Sequence, residues 1–172
     1  MDAATDAGAA YVFAPDGNGT WGEVARLTAM DRNASERFGG SVSLDGNRLL
    51  VGAHGAEVNG SSSAGAAYLF ERDANGTWSQ IAQLTASDAA ANDKFGHAVA
   101  LDGDFAAVGA FQCEIGPATD AGAVYLFKRD ANGTWAELAK LTASDGQTGD
   151  YFGRFLDLRG NRLVVGAEGN YQ

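Results

Sequence analysis

At 172 residues, with 45% hydrophobic and 20% charged content, the chain has the composition of a soluble globular protein and not of a disordered one. Its net charge of −10 disfavours nucleic acid and anionic membrane surfaces, both of which require a positive patch that displaces counterions, and no apolar run approaches the roughly 18 to 20 residues of a membrane span. With 24 Gly and only 2 Pro, turns must be made mostly by glycine, which suits many short strands and predicts an all-β fold.

In chain order, Ala9–Phe13 and Trp21–Leu27 read as two strands separated by a Gly-Asn-Gly turn. From residue 38 a longer unit begins: Phe38-Gly39 to Leu44, a tight Asp45-Gly46-Asn47 turn, and a strand ending in Val51-Gly52-Ala53. A strand over Ala66–Arg72 follows, then Asp73-Ala74-Asn75-Gly76, a strong hairpin signal because Asn and Gly both tolerate positive φ. Thr77–Thr85 completes the set. The pattern then recurs at a spacing of 57 residues without slippage: Gly8, Gly65 and Gly122 are one column, and Trp21, Trp78 and Trp135 are another. A fixed period of this size belongs to architectures built by copying one supersecondary unit. The repeats are 7–63, 64–120 and 121–172, within a single domain spanning 1–172.

One strand carries a competing signal. Trp78, Ile81 and Leu84 are spaced by three, as are Trp21, Val24, Leu27 and Trp135, Leu138, Leu141. A helix would show this spacing, and so would an outer strand with a bulge that shifts its inward face by one residue.

Phe-Gly opening one strand, Val-Gly-Ala closing the next and Ala-Gly-Ala-x-Tyr-x-Phe following it resemble the FG-GAP repeat of integrin-type β-propellers, in the bacterial variety with Trp and Leu-Thr-Ala-Ser-Asp in the outer strand. The resemblance covers essentially the whole chain. It implies four-stranded antiparallel blades with the Phe-Gly strand innermost, then the Gly-Ala strand, the Tyr-x-Phe strand and the Trp strand at the rim. Residues 38–85 and 95–142 are then two intact blades. Residues 7–28 supply the outer half of a third blade and 152–168 the inner half.

Three blades are too few for a ring, since closed propellers carry about 4–8, and open half-blades expose strand edges that template association. After Met1 the residues number 171, which is three times 57. Two chains joined head to tail would therefore make a six-bladed homodimer. A piece of a longer propeller and a nine-bladed trimer are the alternatives.

The candidate chemistry is sparse. Integrin-type repeats carry a calcium loop between the two inner strands, but Asp45-Gly46-Asn47, Asp102-Gly103-Asp104 and Arg159-Gly160-Asn161 are too short to supply its ligands, so no cofactor is expected. Acidic pairs precede each Phe-Gly (Asp31 with Glu36, Asp88 with Asp93, Asp145 with Asp150) and read either as turn caps or as cation ligands. Asn-Gly-Thr at 18, 75 and 132, with Asn33-Ala34-Ser35 and Asn59-Gly60-Ser61, fits glycosylation acceptors as well as turns. Cys113 is alone, so no intrachain disulfide forms, and it reads as a small buried apolar residue. The two histidines, His54 and His97, do not repeat, and no zinc spacing or nucleophile elbow is present. The protein is expected not to be an enzyme.

What varies between copies is the link after Val-Gly-Ala. Recognition tends to use variable loops on a rigid scaffold, which selects the face containing 54–63, 111–120 and 168–172. His54, Glu57, Asn59, Phe111, Gln112, Glu114 and Tyr171 are the candidate contacts. The alternative is a set of solvated linkers in which Ser61-Ser62-Ser63 is merely flexible. The family resemblance implies a non-enzymatic binding or adhesion module at the cell surface or outside the cell, with a protein or glycan partner. The competing readings are a lectin, a self-assembling structural element and a hydrolase. Met1-Asp2-Ala3-Ala4 lacks the start of a secretory signal, so a leader would have to have been removed.

Overall fold

The computed structural model describes residues 7–31 and 33–169. Among these residues every regular element is a strand. Two four-stranded antiparallel sheets are intact: β3 (Ser41–Asp45), β4 (Arg48–Ala53), β5 (Ala66–Arg72) and β6 (Trp78–Leu84), and β7 (Ala98–Asp102), β8 (Phe105–Ala110), β9 (Ala123–Arg129) and β10 (Trp135–Leu141). They are flanked by two-stranded sheets, β1 (Ala10–Pro15) with β2 (Trp21–Leu27) and β11 (Phe155–Arg159) with β12 (Arg162–Gly166). Strand order within each sheet follows chain order, and β7 neighbours both β3 and β11. These are propeller blades with the Phe-Gly strand innermost and the Trp strand at the rim.

The spacing of three in the rim strand is a bulge. Leu69 faces Ala82 and Phe70 faces Gln80, so Ile81 has no partner across the ladder; Leu138 is skipped in the same way, and Val24 lies at the corresponding shift between β1 and β2. All three bulged residues are exposed. The extra residue puts Leu84 on the opposite face of the blade from Trp78, so Trp78 packs on the core shared with the first half-blade and Leu84 on the core shared with the next blade, where strict period-two alternation would set both on one face.

Glycine is needed where blades touch. Gly65 has φ +92° and a Cβ there would lie 2.0 Å from the Phe95 carbonyl oxygen, while a Cβ on Gly52 would lie 1.9 Å from that of Gly96. The Phe-Gly and Gly-Ala columns are thus backbone-to-backbone contacts between successive blades, closed to any side chain.

Each blade boundary has its own apolar core. Val12, Ala25 and Leu27 of the first half-blade meet Phe38, Leu49, Val51, Tyr68 and Phe70. Leu50, Leu69 and Leu84 meet Phe95, Val108, Tyr125 and Phe127. Ala107, Val124 and Leu126 meet Leu156, Leu158, Leu163 and Val165. The Tyr68–Phe70 and Tyr125–Phe127 pairs of the Tyr-x-Phe column therefore face the preceding blade. Phe95 packs at 5.5 Å from Tyr125 and 6.1 Å from Phe127, as Phe38 does at 5.6 and 5.9 Å from Tyr68 and Phe70. Trp78 and Trp135 pack against these cores, whereas Trp21 is exposed.

Candidate functional site

Antiparallel pairing puts the β4–β5 and β6–β7 links at one end of each blade and the Asp-Gly and Asn-Gly turns at the other. The links over 54–65 and 111–122 share one conformation. Val58 pairs with Ser61 and Ile115 with Ala118, and the amides of Gly65 and Gly122 each donate to the residue nine back, Ala56 and Cys113, at 2.9 Å. The Ser61-Ser62-Ser63 segment is not a loose tether. The Asn92 and Lys94 amides donate to the carbonyls of Ser62 and Ser63 at 2.9 and 3.2 Å, and Gly149 and Tyr151 repeat this on Thr119 and Asp120 at 2.9 and 3.0 Å. Hydrogen-bonded backbone holds the loops in place although their side chains differ.

On this frame a row of rings crosses three blades. His54 lies 5.4 Å from His97, His97 lies 4.4 Å from Phe111, and Phe111 lies 5.8 Å from Tyr151. Cations flank it. An Arg37 guanidinium nitrogen is 3.4 Å from His54 Nε2, and the Arg154 guanidinium sits 5.3 Å over Phe111 and 5.9 Å over Tyr151 while pairing with Glu168. Burial, with the charges of His97, Arg37 and Lys94 adding to it, lowers the His54 pKa to about 4. Burial pushes His97 down as well, so both imidazoles are neutral at pH 7. The Nδ1 atoms of both are buried without a hydrogen-bond partner among the described residues. Lys94 is held below the usual lysine range by burial and by the charge of Arg37.

Outward of the row lie two grooves related by the repeat. The first, of about 570 Å³, is lined by Asn33, Glu36, Glu57, Ser62 and Ser63 among others. The second, of about 450 Å³, is lined by Asp93, Gln112, Glu114, Asp120 and Lys140 among others. Glu36 is buried; Asn33 Nδ2 donates to its Oε1 at 3.0 Å, and its Oε2 has no partner among the described residues. Asp93 is buried too, accepts from the Ala90 amide at 2.9 Å, and is raised above the usual carboxylate range by that burial.

The acidic pairs divide their labour. The second member caps the turn, Asp93 on the Ala90 amide and Asp150 on that of Gln147 at 2.7 Å. The first member does something else: Asp31 accepts from Tyr68 Oη at 3.3 Å and Gln83 Nε2 at 3.1 Å, and Asp88 from Tyr125 Oη and Lys140 Nζ, both at 2.6 Å. Burial works to raise Asp88, but the hydrogen bonds from Lys140 and Tyr125 outweigh it and hold the carboxyl low. Cys113 is buried beside them, with Lys140 Nζ 3.3 Å from its Sγ, and burial pushes its thiol up. The inner turns are committed to structure as well. Asp45 accepts from the Gly103 amide at 2.8 Å, and Asp102 from that of Gly160. No group of three or more metal-ligating side chains converges among the described residues.

Of the contacts read from the sequence, His54 and Phe111 belong to the row. Glu57 lies on the first groove, and Gln112 and Glu114 lie on the second, where Gln112 Nε2 donates to Asp120 at 3.3 Å. Asn59 is exposed at the tip of the link with φ +51° and lines neither groove. Tyr171 lies outside the described residues. Sequence reasoning missed Arg37, Lys94, His97, Tyr151 and Arg154. A signal existed in the numbering: His54 to His97 and Phe111 to Arg154 have the same separation, 43 residues, the distance along the chain to the neighbouring blade at that height.

No curated protein matches the chain. Among solved structures it is similar to the periplasmic gluconolactonase of Pseudomonas aeruginosa, with 17% identity and a TM-score of 0.44, covering 77% of this chain and 34% of the other. The chain thus spans about a third of that protein's length. The FG-GAP repeat pattern matches it three times, over residues 21–70, 78–127 and 135–172, with each match running from a rim Trp. With those matches and the four-stranded blades in agreement, the chain belongs to the FG-GAP repeat family.

Proposed function

We propose that the protein is a non-enzymatic FG-GAP binding or adhesion module, acting at the cell surface or outside the cell, on a ring that two copies close head to tail. The observation that carries the binding reading is the ring row His54, His97, Phe111 and Tyr151 with Arg37, Lys94 and Arg154 beside it. Aromatic faces stack on apolar faces of a ligand, and an anion would offset the burial and the Arg37 charge that hold Lys94 down. A partner that presents an acidic group next to a flat apolar face fits this combination, and an acidic glycan has both. The grooves outward of the row offer the exposed carboxylates of Glu57 and Glu114 to the hydroxyl or amide donors of the same partner.

A binding array carrying uronate-containing and neutral glycans, with acidic peptides as a second arm, tests this. Acidic glycans are expected to be retained, and Phe111→Ala to weaken retention by about tenfold or more, as loss of a stacking anchor does. Retention of acidic peptides alone would move the reading to a protein partner. Retention unaffected by Phe111→Ala, or turnover of a lactone or glycoside by the purified chain, would overturn it.

A further inference from the structure

The intact blade boundaries carry polar contacts that obey the repeat. Asp31 takes hydrogens from residues 37 and 52 further on, Tyr68 and Gln83, and Asp88 takes them from Tyr125 and Lys140 at the same separations. The Met30 amide donates to Gln80 Oε1 at 3.0 Å. One repeat later the Ser87 amide and hydroxyl donate to Glu137 at 2.9 Å, again 50 residues on. Each boundary is thus closed by a carboxylate with a Tyr and a second donor, and by a rim-strand acceptor for the amide ahead of it.

Carried one step further, the pattern leaves two incomplete sets at opposite ends of the molecule. At one end Asp145 and Ser144 are exposed and their side chains have no partner among the described residues. At the other, Arg26 Nε already donates to Tyr11 Oη at 3.2 Å, as Gln83 does to Tyr68 at 3.3 Å, and only the carboxylate is missing. Glu23 stands in the column of Gln80 and Glu137, exposed. In a register of three repeats, the residues due opposite Asp145 are Tyr11 and Arg26, and the one due opposite Ser144 is Glu23. The charges are complementary, Arg26 against Asp145. Backbone space is reserved as well. A Cβ on Gly109 would lie 2.0 Å from the Gly153 carbonyl, whereas one on Gly166 would meet nothing nearer than the Phe155 Cβ at 3.4 Å. By the same register Gly166 keeps room for the carbonyl of Gly39.

We infer that a second copy of this chain docks on these edges, β12 of one copy pairing with β1 of the other, with Asp145 accepting from Tyr11 and Arg26 and Ser144 donating to Glu23 across the seam. Resting on the two-copy ring proposed above, this names the residues that decide which end meets which. The β8–β9 ladder sets Val108 opposite Tyr125 and Ala106 opposite Phe127, so the seam sets Val165 opposite Tyr11 and Leu163 opposite Phe13. It covers the exposed Tyr11, Phe13 and Val164 and removes two open strand edges per junction.

Light scattering on the 17.7 kDa chain with charge reversals tests both levels. The unaltered chain is expected at twice its monomer mass. Arg26→Glu and Asp145→Arg are each expected to weaken association by about tenfold or more, because a dimer carries the mismatch at both junctions. The double reversal, or an equimolar mixture of the two single variants, is expected to restore it, which a misfolded variant could not do. A monomer, or open polymers, from the unaltered chain would overturn the two-copy ring. A dimer indifferent to the single reversals, or not rescued by the pair, would overturn the seam and leave the ring standing.

Discussion

Tyr125 and Tyr11 occupy the same column of the repeat, yet Tyr125 is fully buried and Tyr11 is 53% exposed. Phe127 and Phe13, at 4% and 54%, differ in the same way. The strands are alike, and so are the bulges and turns around them. What differs is whether another blade lies against the face. A half-blade here folds into its two-stranded form from local turns and pairing, and its aromatic face gains nothing until a neighbour covers it. In a propeller the energetic unit is therefore the boundary between blades, and an equivalent substitution in a closed and an open boundary isolates that contribution.

The largest difference is expected at glycine. Gly109→Ala places a methyl group 2.0 Å from a backbone carbonyl, which no side-chain movement relieves. A loss of more than about 4 kcal/mol, or failure to fold, is expected by urea denaturation. Gly166→Ala, which meets only ordinary van der Waals contact with Phe155 in the single chain, should leave a folded monomer. Phe127→Ala comes next, at about 3 kcal/mol for an aromatic removed from a closed core. Phe13→Ala, in protein dilute enough that the ends are open, should stay within about 0.5 kcal/mol. Equal losses at the two positions would mean that the half-blade is stabilised by something other than its missing neighbour.

Hydroxyl deletion gives a smaller contrast. Tyr125→Phe strips Asp88 of one of its two donors inside a boundary and is expected to cost about 1–2 kcal/mol. Tyr11→Phe leaves no carboxylate stranded in the single chain and should be silent there. The histidine row adds a pH dependence with a definite sign. The folded pKa of His54 is depressed to about 4 by burial, so the unfolded chain binds the proton first. That contribution to stability is present above the unfolded value of about 6.5 and is lost as pH falls toward 4. Proton NMR titration should find the His54 ring still neutral at pH 5.5, and His54→Phe should flatten the dependence over that interval.

The architecture was legible because its constraints are local in the repeat. Gly65 and Gly96 must be glycine for backbone contact, and the Asn-Gly turns and the Tyr-x-Phe column recur in step. Even the bulge was visible, as a spacing of three in the rim strand. The functional row was only half legible. His54 and Phe111 stand at the start of variable links and could be singled out by position, but His97, Tyr151 and Arg154 come from other columns, brought beside them only by the stacking of blades. The role of the first acid was misjudged for the same reason. Asp31 and Asp88 look like turn caps in their own segments, and their donors come from strands that are adjacent only once two blades pack.

The smallest effect is expected at the bulge, and its smallness is what makes it informative. Leu138 is exposed in a rim strand and is skipped in the β9–β10 ladder. It makes the spacing of three that resembles a helical face while contributing nothing to either core. Leu138→Thr keeps the strand preference and removes only exposed apolar surface, so thermal and urea unfolding should shift by less than about 0.5 kcal/mol. Ile81→Thr, at the boundary between the intact blades, should behave the same way, because a bulged residue points outward whether or not its blade has neighbours. A substantial loss at Ile81 but not at Leu138 would show that the bulge residue of a closed boundary is held by the next blade, and would move the outward turn of the rim strand from a property of the strand to a property of the ring.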